Sequence, residues 1–255
     1  MTRVLFATTV TIGVLFTGLI LAHAWAQGEP IPYTKNAMCI ACHKGRNPGL
    51  LEHYQSTRHS QAVPKADMAP VDIYRRSVGF HSADNSYYEK GVGCQSCHAP
   101  GGPHLKAKGD EEKKATMRRV DSLEKPTQKL SVCGRCHGDY TVNGKPLAED
   151  FRVGDDLFAM ESFKLNEITT PGPFQQLNEL ESSKHGAHDV TCITCHTSHE
   201  DMQGTPQLRQ AVPDLCLQCH GEAHKCTVRA DQVKAGDTCA TCHMPHGRHV
   251  FKVVK

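Results

Sequence analysis

Aromatic residues are scarce in this 255-residue chain: eight Phe, six Tyr and a single Trp, 6 % of the sequence in all. Hydrophobic residues make up only 38 %. That is too little apolar side chain to furnish an ordinary core for a domain of this length. Charge of one sign is also missing, with 29 Lys and Arg against 27 Asp and Glu, so nothing in the balance points to nucleic acid. A long apolar run occurs only at Val4 to Ala22. It follows Met1-Thr2-Arg3 and precedes Ala24-Trp25-Ala26, the pattern of a secretory signal peptide over 1–26, with Ala22-His23-Ala24 a second cleavage option. An uncleaved anchor is the alternative, since the run is just long enough to span a bilayer. No cysteine precedes Cys39, which excludes a lipid-modified N-terminal cysteine. The expectation is an exported protein, periplasmic or extracellular, with no stable membrane span after signal cleavage.

What the chain holds in excess is cysteine and histidine, 13 and 17 residues. Twelve of the cysteines fall into six copies of Cys-x-x-Cys-His: Cys39/Cys42/His43, Cys94/Cys97/His98, Cys133/Cys136/His137, Cys192/Cys195/His196, Cys216/Cys219/His220 and Cys239/Cys242/His243. At the chain's own Cys and His frequencies, chance supplies about 0.04 copies. The spacing is the attachment signature of c-type haem. Thiols at i and i+3 share one side of a helical turn and add across two vinyl groups, and the next His becomes the proximal iron ligand. A single Cys-x-x-Cys is more often half a zinc site or a thiol-disulfide motif. Zinc knuckles, however, do not place His directly after every second cysteine, and a redox motif occurs once.

Six covalently bound haem c groups change how composition is read. With about 38 residues per haem, the porphyrins stand in for the missing core. With Arg3 lost alongside the signal segment, six ferric porphyrin charges and twelve propionates turn the formal +2 into a net charge of about −5 oxidised, and about −11 once the irons are reduced. The expected fold is mostly α and irregular coil with little β, built of short helices packed around six haems.

The motifs also set the expected organisation: a three-haem module at 27–140, a haem-free connecting segment at 141–181 and a three-haem module at 182–255. Within the connecting segment Val142-Asn143-Gly144-Lys145 predicts a tight hairpin turn and Phe151-Arg152-Val153 a short strand. Thr169-Thr170-Pro171-Gly172-Pro173 is a breaker cluster. The charged stretch Leu105 to Lys129 predicts a solvated helix ending near Pro126. Inter-motif spacings differ between the halves, so the halves share a building block without being a faithful duplication.

Beyond His23 and the six proximal residues, ten histidines remain: His53, His59, His81, His104, His185, His188, His199, His224, His246 and His249. Six irons need six more ligands, and this supply closes all of them as bis-His sites. His199 and His246 follow a proximal His by three residues. His185 and His59 share a Ser-x-x-His pattern, His104 follows the small-residue stretch Ala99-Pro100-Gly101-Gly102-Pro103, and His224 follows His220 by four. These six are the distal candidates, with His81 behind them and His53, His188 and His249 as bystanders. Methionine is the other possible sixth ligand, at Met38, Met68, Met117, Met160, Met202 or Met244, but the His surplus favours low-potential bis-His haems. Cys226 is the odd cysteine, read as an unpaired thiol ahead of an intermolecular disulfide.

From Cys39 to about Leu157, the Ser-x-x-His59 element, Gly91-Val92-Gly93-Cys94 and Cys97-His98-Ala99-Pro100-Gly101-Gly102-Pro103-His104 resemble the tetrahaem cytochrome of the nitrification pathway. The stretch from Ser183 to Gly247 is similar to the pentahaem nitrite-reductase partner and the decahaem outer-membrane conduits. The resemblance implies closely packed haems in alternating parallel and perpendicular pairs, and electron transfer with other redox proteins as donor and acceptor. Six haems depart from all three relatives. Two other classes stay open: a multihaem reductase or oxidase of nitrogen or sulfur compounds with one open haem site, and a subunit of an extracellular cytochrome filament.

Overall fold

Short helices joined by coil account for nearly all of the architecture. The structure, a computed structural model, describes residues 34–62, 91–98, 100–145, 151–199, 207–221 and 232–252. The signal segment, His81, His224, Cys226, Met68 and Met202 lie outside the described residues. In chain order come α1 (Asn36–Arg46), α2 (Pro48–Ser56), α3 (Arg58–Gln61), α4 (Gly101–Lys106), α5 (Asp110–Thr116), α6 (Pro126–His137), α7 (Gln176–Glu181), α8 (Cys192–Cys195), α9 (Asp214–His220) and α10 (Cys239–His243). A two-stranded antiparallel ribbon pairs β1 (Tyr140–Thr141) with β2 (Lys164–Leu165). The fold is thus mostly helix and coil with little sheet, as the composition predicts.

Local chemistry explains several boundaries. Asn143 and Gly144 both take positive φ, 51° and 74°, and Val142 and Lys145 exchange two backbone hydrogen bonds of 2.9 Å. This is the predicted hairpin turn, made where left-handed backbone costs least. Phe151-Arg152-Val153 forms no strand; Val153 joins only an isolated bridge with Asp155, and Phe151 is spent on the core instead. The helix predicted over 105–129 is divided. Gly109, at φ 84°, separates α4 from α5, and Pro126 starts α6 at its first turn instead of ending a helix. Proline there gives up only an amide that the first turn leaves unpaired anyway. The Lys125 N–H donates to Gln128 Oε1 at 3.0 Å, which fixes the start of α6.

Among the described residues, protein-only packing forms three small clusters around α6 and the segment after it. They are Leu123, Val132 and Val153; Tyr140, Phe151 and Leu157; and Leu130, Leu177 and Leu180. Leu177 of α7 lies against Gly134, where an added Cβ would stand 2.5 Å from Leu177 Cδ2. Asn178 completes the junction. Its Oδ1 accepts the Asp139 N–H at 2.8 Å, and its Nδ2 donates to Asp139 O at 2.6 Å and Asn166 O at 3.0 Å. The C-terminal end of α6, which carries the third motif, is therefore seated on α7. Replacing Gly134 by Ala is expected to cost about 1–3 kcal/mol through overpacking. Denaturant unfolding of the holoprotein measures it, and adding Leu177→Ala should give a double variant less destabilised than the sum of the two.

Candidate haem sites

Each attachment motif sits on a helical turn, but the six are built differently. The first lies inside α1, and the second on a 3-10 turn (Cys94–Ser96) followed by Cys97 and His98. The third closes α6. The fourth occupies α8, with His196 just past its end, and the fifth and sixth end α9 and α10. Motifs 4 and 6 share a Thr-Cys-x-Thr-Cys-His start. In each, the backbone N–H of the first Thr donates to the hydroxyl of the second at 3.0 Å, which caps the turn that presents both thiols.

The second motif is held from within. Gln95, 1 % exposed, accepts the Gly101 N–H at 2.6 Å and the Thr34 N–H at 3.0 Å, and its amide donates back to Thr34 O. Asn36 of α1 accepts the Cys94 N–H at 3.2 Å, joining the first motif to the second. Gly101 thus brings backbone against the Gln95 amide, a use of that small-residue stretch that its sequence does not announce.

The histidines meet in pairs drawn from distant parts of the chain. Ring centroids are 6.3 Å apart for His43 and His104, 5.8 Å for His98 and His199, and 6.0 Å for His137 and His59. They are 5.8 Å apart for both His196 with His249 and His220 with His185. Every pair joins a motif histidine to one outside a motif. Two imidazoles sharing one metal at metal–nitrogen distances of about 2 Å have ring centres about 6 Å apart, so the donor sets fit bis-imidazole ligation. Three rings are also oriented through the other nitrogen: Nδ1 of His98 meets Arg118 O at 3.1 Å, that of His104 meets Lys113 O at 3.0 Å, and that of His243 meets Lys252 O at 2.7 Å. A carbonyl only accepts, so Nδ1 carries the proton and Nε2 keeps a lone pair for metal. Burial, helped by a neighbouring histidine, lowers the pKa of His43, His59, His185 and His249. His98 and His137 are lowered chiefly by burial as well. The neutral ring favoured in this way is the ligating form.

His59, His104, His185 and His199 therefore each face a motif histidine, and so does His249, set by sequence among the bystanders. His246 is exposed in a 3-10 turn (Pro245–Gly247) at φ 61°, and no described histidine ring faces it or His243. His53 is exposed and lines an open groove with Asn47, Leu50 and His199, and His188 is exposed beside His185. Nothing in the residues around His249 marks it out, because its partner ring is 53 positions away.

The thiols add an order to the sites. None of the twelve motif cysteines is in a disulfide. First cysteines are neighbours across motifs 1 and 2 (Cys39 with Cys94), 3 and 4 (Cys133 with Cys192), and 5 and 6 (Cys216 with Cys239). Second cysteines are electrostatic neighbours across motifs 2 and 3 (Cys97 with Cys136) and 4 and 5 (Cys195 with Cys219). Burial, then Cys136, pushes Cys97 up to about 11; burial, then Cys239, does the same to Cys216. The Cys39 hydrogen bond, then burial, raises Cys94.

A family model described as the doubled CXXCH motif matches residues 185–225, the stretch holding motifs 4 and 5. Among solved structures, the chain is similar to an undecaheme cytochrome from the S-layer of Carboxydothermus ferrireducens. The TM-score is 0.39 and the identity 16 %, over 97 % of this chain and 56 % of that one; the chain thus spans about half the length of that protein. The doubled-motif match and the repeated CXXCH units support a multihaem c-type cytochrome that holds haem c covalently. Among the described residues, no helix is long and apolar enough to cross a membrane.

Replacing Gln95 by Leu strips partners from the Gly101 and Thr34 backbone. The expected loss is about 1–3 kcal/mol for each buried group left unpaired, read as a lower midpoint in denaturant unfolding of the haem-loaded protein.

Proposed function

We propose that this chain is an exported hexahaem c-type cytochrome that carries electrons between other redox proteins, as a carrier and not as an enzyme. The observation that carries the reading is the set of five imidazole pairs at 5.8–6.3 Å. Bound haem supplies a one-electron Fe(III)/Fe(II) couple, and paired imidazoles hold that couple at low potential. The residues of the chain attach, ligate, bury and align. In this reading each site offers two cysteine sulfurs for thioether bonds and two ring nitrogens for the iron, from Cys39 and Cys42 with His43 and His104, Cys94 and Cys97 with His98 and His199, and Cys133 and Cys136 with His137 and His59. Cys192 and Cys195 serve with His196 and His249, and Cys216 and Cys219 with His220 and His185. Cys239 and Cys242 serve with His243.

The thiol contacts support a single file. Each motif adjoins the next in sequence order, through first cysteines at three junctions and second cysteines at two. An ordered file suits a wire, in which the protein's task is to keep neighbouring sites close and dry. Its two ends, motif 1 and motif 6, are where donor and acceptor proteins engage. The proposed modules, 27–140 and 182–255, are joined by contacts of the haem-free segment 141–181 with the third motif.

Mass spectrometry of the mature protein is expected to give six haems and cleavage after Ala26. The oxidised protein should be fully low-spin. His199→Ala should convert one haem of six to high-spin, and His246→Ala none. A wild-type high-spin haem that binds nitrite or hydroxylamine would falsify the carrier reading.

A further inference from the structure

Glu179 is a carboxylate buried where the surrounding packing is apolar. It lies on α7 between Leu177 and Leu180, both core residues, and is itself 4 % exposed. A charge in such a place destabilises unless both oxygens are matched. Here both are matched, by consecutive residues of the C-terminal segment. Arg248 Nε donates to Oε1 at 2.5 Å, and the backbone N–H of His249 donates to Oε2 at 2.7 Å. Paired carboxylates of this kind hold a geometry better than they add stability.

That segment passes three sites in five residues. The His249 ring faces His196 at 5.8 Å. Phe251 packs at 4.0 Å on His185, the ring that faces His220. The Lys252 N–H donates to His243 O at 2.8 Å, while its carbonyl accepts from His243 Nδ1 at 2.7 Å. The ring of His249 also differs from those of His98, His104 and His243 in lacking a carbonyl to orient it. Its Nδ1 is buried without a hydrogen-bond partner. Its position is consequently set through its backbone, and the backbone is held by Glu179.

We infer that Glu179 is a positioning residue for axial ligation at the fourth motif: its two oxygens clamp Arg248 and the His249 amide and thereby hold the His249 ring opposite His196. The inference rests on the ligand pairing proposed above. It gives the haem-free segment 141–181 a task, because a residue of that segment fixes the ligand of a site built by the C-terminal stretch.

The test uses full-length, haem-loaded protein, with haem stoichiometry measured for every variant. His249→Ala is expected to leave one haem of six high-spin when oxidised, and to bind one carbon monoxide per protein when reduced. Glu179→Ala should reproduce both signatures, and added imidazole should restore the low-spin spectrum in both variants. The double variant should still show one high-spin haem and not two. Arg248→Met keeps Glu179 in the core with a single partner; its high-spin fraction should rise on warming at temperatures where the wild type stays low-spin. That variant decides the matter if Glu179→Ala does not assemble. If His249→Ala stays low-spin, the pairing at the fourth motif is wrong. If His249→Ala becomes high-spin while Glu179→Ala, or Arg248→Met in its stead, behaves as wild type, the pairing stands and the role of Glu179 is overturned.

Discussion

Pairs of imidazole rings about 6 Å apart are the constraint on which the rest of the chain's arrangement depends. Each pair ties two segments that are far apart in sequence: His43 to His104, His59 to His137, His98 to His199, His185 to His220 and His196 to His249. Among the described residues the protein-only clusters number three, each with three buried residues. Such clusters bury too little apolar surface to order this many short helices by themselves. Long-range ring pairs and capped turns carry what a larger core does elsewhere, and this is why scarce aromatics and low hydrophobicity are compatible with a defined fold.

The haem-free segment is the part that packs as an ordinary protein does. Leu177 occupies the space left by Gly134, Asn178 makes three hydrogen bonds to the chain on either side, and Glu179 reaches the C-terminal segment. Three consecutive residues of α7 thus serve three different neighbours. Asn178 and Glu179 are both buried, and both are directed inward.

Legibility from sequence divides along physical lines. Features decided within a few residues can be read directly: the Cys-x-x-Cys-His turns, the Asn143-Gly144 hairpin and the mostly helical texture. Pro126 misleads because proline is compatible with a first turn as well as a stop, and only the Gln128 cap distinguishes the two. The rings opposite the motif histidines are fixed by contacts across 35 to 101 positions. Local context favours His246, three residues after a proximal His, yet the ring brought to His196 is His249, whose backbone is gripped by a carboxylate 70 positions away. A glutamate in a short, mostly polar helix is a weak sequence signal. It gains meaning only once its partners are known.

The reach between His98 and His199 bears on the timing of the protein's assembly. Chains emerge N-terminus first at about 5–20 residues per second. The second motif is therefore made roughly 5–20 s before the ring that faces it, and the fourth motif waits for a residue 53 positions further on. The turns that carry the thiols are thus made before the rings that oppose them. Local capping by Thr191 and Thr194, and the Gln95 bridge to Gly101, are available from the outset. The attachment turns are self-sufficient for this stage, and the ring pairs are its final step.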